Sequence, residues 1–166
     1  MPRAGPTFET PTSEELRRLR GVADYQFGRG AGDALFPDGI QVIRSKKTGK
    51  IKGILVRGEL IATLKPSDGY LALSIAGGKA LMEALPPPKS RVVAMDEVSD
   101  FIKEGRNLFA KHVVSADPNI RPGDEVVITN SNGTLLAVGR AVLNAREMKY
   151  FKTGLAVNVR RGNGSE

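Results

Sequence analysis

Cysteine is absent from this 166-residue chain, and histidine occurs once, at His112. The first absence excludes disulfides, thiolate metal centres and cysteine-based catalysis. The second excludes a metal site built from several histidines. No apolar run reaches membrane-spanning length. The opening Met-Pro-Arg-Ala-Gly-Pro lacks the apolar core of a secretory signal. These features lead us to expect a cytoplasmic protein with no membrane association, no metal and no cofactor.

What is present is enough for a real core and an excess of positive charge. Hydrophobic residues make up 40% of the chain, which suits one domain or two small ones. Lys and Arg number 25 against 18 Asp and Glu, for a formal charge of +7. Divided at Pro88, the excess is +4 before and +3 after, so neither half carries it alone. A basic surface attracts polyanions, although charge by itself does not identify one.

The first eleven residues, rich in Pro, Gly and Thr, read as a flexible arm. Thr12-Ser-Glu-Glu15 is a capping box, and Leu16, Leu19 and Val22/Ala23 follow at helical spacing. A helix is expected from Ser13 to Tyr25, with Arg17, Arg18 and Arg20 off its apolar face. Gly28-Arg-Gly-Ala-Gly32 reads as a flexible turn, since it lacks the strand and the Gly-Lys-Ser/Thr ending of a phosphate loop. Ile40–Arg44, Lys50–Val56, Leu60–Lys65 and Tyr70–Ile75 read as an antiparallel meander, with glycine-containing turns between them. A helix over Ala76–Leu85 follows. Pro86-Pro-Pro88 should end it and form a stiff, extended connector. Lys46, Lys47, Lys50 and Lys52 cluster at one hairpin tip, either simply solvated or extending a nucleic-acid track.

Beyond the prolines, Arg91–Ala94 reads as a strand and Asp96 as the cap of a helix carrying Val98, Phe101 and Ile102, which Gly105 ends. Phe109–Val114, Glu125–Thr129, Leu135–Ala141 and Ala156–Arg160 read as strands. Asn132-Gly133 is a hairpin signal. Asn144-Ala-Arg-Glu147 opens a short helix expected to run to Gly154. The expected class is α+β: a small antiparallel sheet-plus-helices domain at 12–88, then a mixed β-barrel at 89–161, then a tail at 162–166.

Lys103-Glu-Gly-Arg-Asn-Leu-Phe-Ala-Lys111 combines a glycine that admits close backbone approach with cationic and amide groups that phosphates and base edges accept. From spacing alone, a helix C-cap followed by a polar turn is the favoured explanation. Phe109 alternates with Val113 and could be core or a stacking residue. His112, in an apolar run with no nucleophile nearby in sequence, reads as a packed or edge histidine. Asp117, Asp124 and Glu125 flank a Pro-Gly turn, and turn and cap roles account for them.

Glu104-Gly-Arg-Asn-Leu-Phe-Ala-Lys111, Asp117-Pro-Asn-Ile-Arg-Pro-Gly-Asp-Glu-Val126, Leu135-Leu-Ala-Val-Gly-Arg-Ala141, Glu147-Met148 and Lys152-Thr-Gly-Leu-Ala-Val157 appear in the order of a PUA domain, and residues 91–161 closely resemble that RNA-binding module. Arg20-Gly-Val-Ala-Asp-Tyr-Gln-Phe-Gly28, Leu35-Phe-Pro37, Ser45-Lys-Lys-Thr-Gly-Lys-Ile51, Leu60-Ile-Ala-Thr-Leu-Lys-Pro-Ser-Asp-Gly69 and Leu85-Pro-Pro-Pro88 resemble the small domain before the PUA domain of archaeal tRNA-guanine transglycosylases and archaeosine synthases.

The resemblance implies an RNA face made of Gly105, Arg106, Asn107, Leu108, Phe109, Ala110 and Lys111, with Arg160 and Arg161 at the end of the last strand. It also implies the acceptor end of tRNA as ligand. The catalytic barrel of those enzymes does not fit in this length, and a zinc site needs cysteines the chain lacks. The resemblance therefore points to a non-catalytic, archaeal-type subunit for archaeosine-type tRNA modification, working with a separate catalytic polypeptide. Two alternatives stand beside it: a stand-alone binder of ribosomal RNA or a protein, and an enzyme using Asp24, Asp33 or Asp68 for acid–base work on a nucleotide.

Overall fold

A computed structural model describes residues 7–164. The chain divides into two compact units on either side of the Leu85–Pro86 bond.

The first unit begins with a short strand, β1 (Phe8–Glu9), and a helix, α1 (Ser13–Phe27). The capping box forms: the Glu15 N–H donates to Thr12 Oγ1 at 3.1 Å, and the Thr12 N–H donates to Glu15 Oε1 at 2.9 Å. Leu19, Ala23 and Phe27 make the buried stripe. A short helix, α2 (Ala31–Leu35), follows where a flexible turn was expected. The tie between α1 and α2 is specific. Gly32 is packed on the Arg20 carbonyl where a Cβ would collide, and its N–H donates to Asp24 Oδ1 at 2.7 Å. A single unbranched contact of this kind leaves no apolar period to read in the sequence.

Four strands form the expected meander: β2 (Gln41–Arg44), β3 (Ile51–Val56), β4 (Glu59–Leu64) and β5 (Leu71–Leu73). The sheet order is β1-β2-β3-β4-β5, antiparallel throughout. The expected flexible arm is thus corrected at Phe8 and Glu9, which pair with Ile43 and Val42; residues 1–6 lie outside the described part. The opposite edge is covered by the Gln26 side chain of α1, which donates to the Leu71 carbonyl and accepts from the Leu71 N–H, both at 2.8 Å. It occupies main-chain groups that an edge strand otherwise exposes. Ser74 caps the helix α3 (Ile75–Ala84). The proline run is a turn rather than an extended connector: the Lys89 N–H donates to the Pro86 carbonyl and the Arg91 N–H to the Pro88 carbonyl.

The second unit contains β6 (Arg91–Ala94), a 3-10 turn (Asp96–Val98), α4 (Ser99–Lys103), β7 (Leu108–Phe109), a second 3-10 turn (Ala110–His112), β8 (Val113–Ala116), β9 (Glu125–Thr129), β10 (Leu135–Ala141), α5 (Ala145–Tyr150) and β11 (Leu155–Gly162). The sheet order is β7-β11-β10-β9-β6-β8, and among the described residues the only parallel pair is β6 with β9. Its two edge strands, β7 and β8, are joined by only three residues, so the sheet curls into a nearly closed mixed barrel. Val92, Ile102, Leu108, Val126, Ile128, Leu136 and Met148 fill it. Each such side chain contributes about 1.5–3 kcal/mol on burial.

Several local expectations are corrected here. Phe109–Val114 is not one strand but is broken at Ala110–His112, because its ends belong to opposite edges. Asp96 caps no helix; its carboxylate accepts from the Ser131 N–H and Oγ, which lowers its pKa. Helix α5 ends at Tyr150, short of Gly154. The last strand runs to Gly162, and the Asn163 N–H donates to the Leu136 carbonyl, so the expected tail is pinned as far as residue 163. Residues 165 and 166 lie outside the described part.

Arg44 links three elements of the first unit. Its guanidinium donates to both Glu15 oxygens at 2.8 Å and to Glu9 at 2.6 Å, which joins β2 to α1 and β1. Arg44 and the Thr12 N–H hold the Glu15 carboxyl down at about 2, from 4.5. The stabilisation is present in full above pH 4.5 and is lost as the pH falls toward 2. Hydrogen-exchange protection of the α1 amides should therefore drop across that window. Glu15→Gln should lower protection at neutral pH and flatten the acid dependence; an unchanged acid profile would remove Glu15 from the account.

Candidate nucleic-acid interface

The end of α4 and the start of β7 build a cleft of about 460 Å³, lined by Val98, Phe101, Ile102, Gly105, Arg106, Asn107, Phe109 and His112. Gly105 turns the chain out of the helix with φ at 100°, a left-handed conformation that a side chain would strain. The Gly105 N–H donates to the Ile102 carbonyl and the Arg106 N–H to the Phe101 carbonyl. The C-cap expected at this glycine is thus real, and it also forms one wall of a cleft.

The loop is backed by the end of β11 and the residues just after it. Gly162 and Gly164 lie on the Lys103 backbone with no room for a Cβ. Asn107 Oδ1 accepts the Val159 N–H at 2.9 Å, so the loop is tied to β11 by a side chain as well. One of the two Asn107 amide functions is therefore structural, and its NH2 remains available as a donor.

The sequence-derived residues divide by environment. Gly105, Arg106, Asn107 and Phe109 line the cleft together. Leu108 and Ala110 point into the barrel core and are buried, so only their main chain faces outward. Lys111 is exposed on the 3-10 turn beside His112. Arg161 is exposed one residue before Gly162. Arg160 is positioned differently: its guanidinium ion-pairs with Glu125, whose side chain is 0% exposed. A buried carboxylate needs that partner, so the first role of Arg160 is to neutralise the barrel wall.

Two aromatic rings frame the cleft. Phe109 is 47% exposed and Phe101 is 51% exposed. Phe109 is therefore not core, and Phe101 was missed. Its spacing with Val98 and Ile102 suggested an inward face, but α4 is only five residues long and its last turn presents Phe101 outward. The Arg106 guanidinium lies 5.4 Å from the Phe101 ring centroid. Its contact with Glu104, at 3.6 Å between exposed side chains, is worth little. Arg106 can exchange that contact for a phosphate at small cost. His112 lines the cleft half-buried, and its carbonyl accepts the Met95 N–H.

The carboxylates considered for acid–base work have local roles. Asp24 accepts from the Gly32 N–H, Asp33 lies 3.7 Å from Arg20, and Asp68 accepts from the Tyr70 N–H. Asp117 accepts from the Ser90 and Asn119 N–H groups, and Asp124 from that of Arg121. Among the described residues no cluster of three metal-ligating side chains occurs, and no helix is long and apolar enough to cross a membrane.

Residues 90–162, which form the curled six-stranded sheet, match the PUA domain family. Residues 17–88 match the patch-forming domain C2 of tRNA-guanine transglycosylase. The two domains in this order are found in the C-terminal region of archaeal tRNA-guanine(15) transglycosylases. The chain is 49% identical over 94% of its length to the enzyme of Thermococcus kodakarensis and 46% identical over 90% to that of Methanobrevibacter smithii. It spans only 27% and 23% of those relatives, so the greater part of their length has no counterpart in these residues. Among solved structures, a hypothetical protein of Pyrococcus horikoshii superposes with a TM-score of 0.76 at 20% identity. A conserved PUA domain protein of Thermoplasma acidophilum superposes with 0.70 at 22% identity. Each likeness covers 96% of both chains and concerns the fold.

Removing Arg160 takes an ion-pair partner from the buried Glu125. Arg160→Ala should destabilise the second unit by on the order of 3 kcal/mol, and Arg161→Ala by no more than about 0.5 kcal/mol, by urea denaturation. Equal effects would show that the two arginines do not differ as described.

Proposed function

We propose that this protein binds RNA through the cleft between α4 and β7, and that its ligand is the acceptor end of a tRNA. The observation that carries the reading is the grouping of a phosphate-ready cation, Arg106, with two exposed rings and a left-handed glycine in one cleft of a PUA domain. Exposed rings stack unpaired bases, a mobile guanidinium neutralises a phosphate, and a bare main chain admits close approach. An unpaired 3′ end presents all three of the matching features. Lys111 and Arg161 add charge at the two margins.

The similarity to transglycosylases supports a reading in which this binding serves tRNA modification of the archaeosine type. In this reading the chain holds the tRNA while a separate polypeptide performs the chemistry. The aspartates that could have served an enzyme are occupied by main-chain groups or a neighbouring arginine, which favours a binding role. Residues 12–88 act as a distinct domain that meets the catalytic partner or the body of the RNA.

Binding should be measured with intact tRNA and with tRNA lacking its 3′ end, across a salt series. Removal of the 3′ end should weaken binding at least tenfold. Arg106→Ala and Lys111→Ala should each weaken binding and reduce the salt slope by about one. Equal affinity for both tRNAs, with no effect of either substitution, would sink the proposed face. Co-purification of a polypeptide bearing a transglycosylase barrel would support the subunit role, and tRNA turnover by the isolated chain would overturn it.

A further inference from the structure

The meander of the first unit buries one face and leaves the other without a helix. Direct pairing puts Val42, Ile54, Ala62 and Leu73 on one face, and all four are buried. The helices of the unit lie on that side. Glu9, opposite Val42, joins through Arg44 to Glu15 of α1. Gly77 of α3 packs on the Ile61 carbonyl and the Leu73 side chain, and α2 packs against both helices.

The same pairing puts Phe8, Ile43, Gly53 and Thr63 on the opposite face. Leu60 joins them. Its Cδ1 lies 3.5 Å from the point where a Cβ of Gly53 would stand, and Ile43 Cδ1 lies 3.6 Å from that point. Because Gly53 has no side chain, Ile43 and Leu60 meet over it, and Phe8 continues the line beside Ile43. An apolar strip thus crosses four neighbouring strands, β1 to β4. Phe8 is 48% exposed and Leu60 41%, while Thr63 is exposed and Ile43 half-buried. Single exposed apolar side chains are ordinary, whereas a contiguous row on a sheet face marks an interaction surface.

The chemistry and the place of the strip indicate what covers it. Phe8, Ile43, Gly53, Leu60 and Thr63 carry no charge, so a polyphosphate finds nothing there to pair with. An apolar protein surface is the fitting occupant. The strip starts at β1, the first strand among the described residues. The two domains correspond to the C-terminal region of the archaeal transglycosylases, and the chain spans 27% of the Thermococcus kodakarensis relative. The greater part of that relative therefore precedes the matched region and reaches it at the β1 edge.

We propose that the strip of Phe8, Ile43 and Leu60 is the docking surface for the polypeptide that carries the catalytic portion, taking an apolar patch of that partner. The inference rests on the reading that a separate chain performs the chemistry, and it deepens that reading by naming where the two chains meet. An aromatic anchor at one end and aliphatic side chains on a rigid sheet form the core of such an interface, and the sheet holds them in place before the partner arrives.

The full chain should be co-expressed with the Thermococcus kodakarensis transglycosylase truncated before its matched region, and the pair treated with ribonuclease. Light scattering should show a one-to-one complex that survives the treatment. Phe8→Glu and Leu60→Glu, both at exposed positions, should each weaken it at least tenfold, with the thermal melt of the chain unchanged. Arg106→Ala should leave the complex intact, and Leu60→Glu should leave tRNA affinity intact. A complex indifferent to both strip substitutions would overturn the docking surface and spare the separate-chain reading; no complex at all would overturn both. Two further results would give the strip another occupant and overturn the proposal: a complex that ribonuclease dissolves, or self-association of the chain that Leu60→Glu abolishes.

Discussion

Closure of the second unit depends on three residues. Ala110, Lys111 and His112 join β7 to β8, strands at opposite edges of one sheet. A connection this short is possible only if the sheet has curled until its edges meet. The buried Ala110 anchors the turn in the core, and its N–H donates to the Gly154 carbonyl beside β11. The same turn carries Lys111 outward and sets His112 in the cleft that Phe109 and Arg106 share. Barrel closure and the candidate interface are therefore one event, and a change that opens the barrel also dismantles the cleft.

Glycine serves that closure in a second way. Gly162 and Gly164 let the last strand lie on the Lys103 backbone, which braces the loop at Gly105 from behind. Asn107 adds a side-chain tie to β11, and Glu125 with Arg160 neutralises the wall beside it. Three residues that looked like ligand contacts in the sequence, Asn107, Leu108 and Arg160, thus hold the site in shape. Preorganisation of this kind lowers the ordering entropy that binding otherwise costs.

The first unit is organised around a different constraint, the docking of one long helix on a small meander. Arg44 at one end and Gln26 at the other fasten α1 by charge and by main-chain mimicry. The lysines of the β2–β3 and β4–β5 turns are left on the open side of that joint. Their spacing in the chain marked a charged tip, but only the approach of the two turns makes that tip a cleft with Arg18 opposite.

Regular elements were legible where a local signal exists. The capping boxes at Thr12 and Asn144, the Asn132-Gly133 hairpin and the strand Leu135–Ala141 beside it depend on residues within a few positions, and they formed as expected. The ordered family motifs likewise marked both domains, and four of the residues they pointed to, Gly105, Arg106, Asn107 and Phe109, line one cleft. Other features needed partners distant in the chain. Strand β1 exists because Val42 and Ile43 offer an edge, and Phe109–Val114 breaks because its halves serve opposite edges. Phe101 faces outward because α4 is too short to turn it in, and Arg160 is drawn to Glu125 across the sheet. The sequence by itself determined most of the longer helices and strands and which polar and glycine residues lie together at Gly105. Tertiary structure alone decided which of their side chains remain available to a ligand, because burial and hydrogen-bond pairing depend on neighbours that only the closed fold supplies.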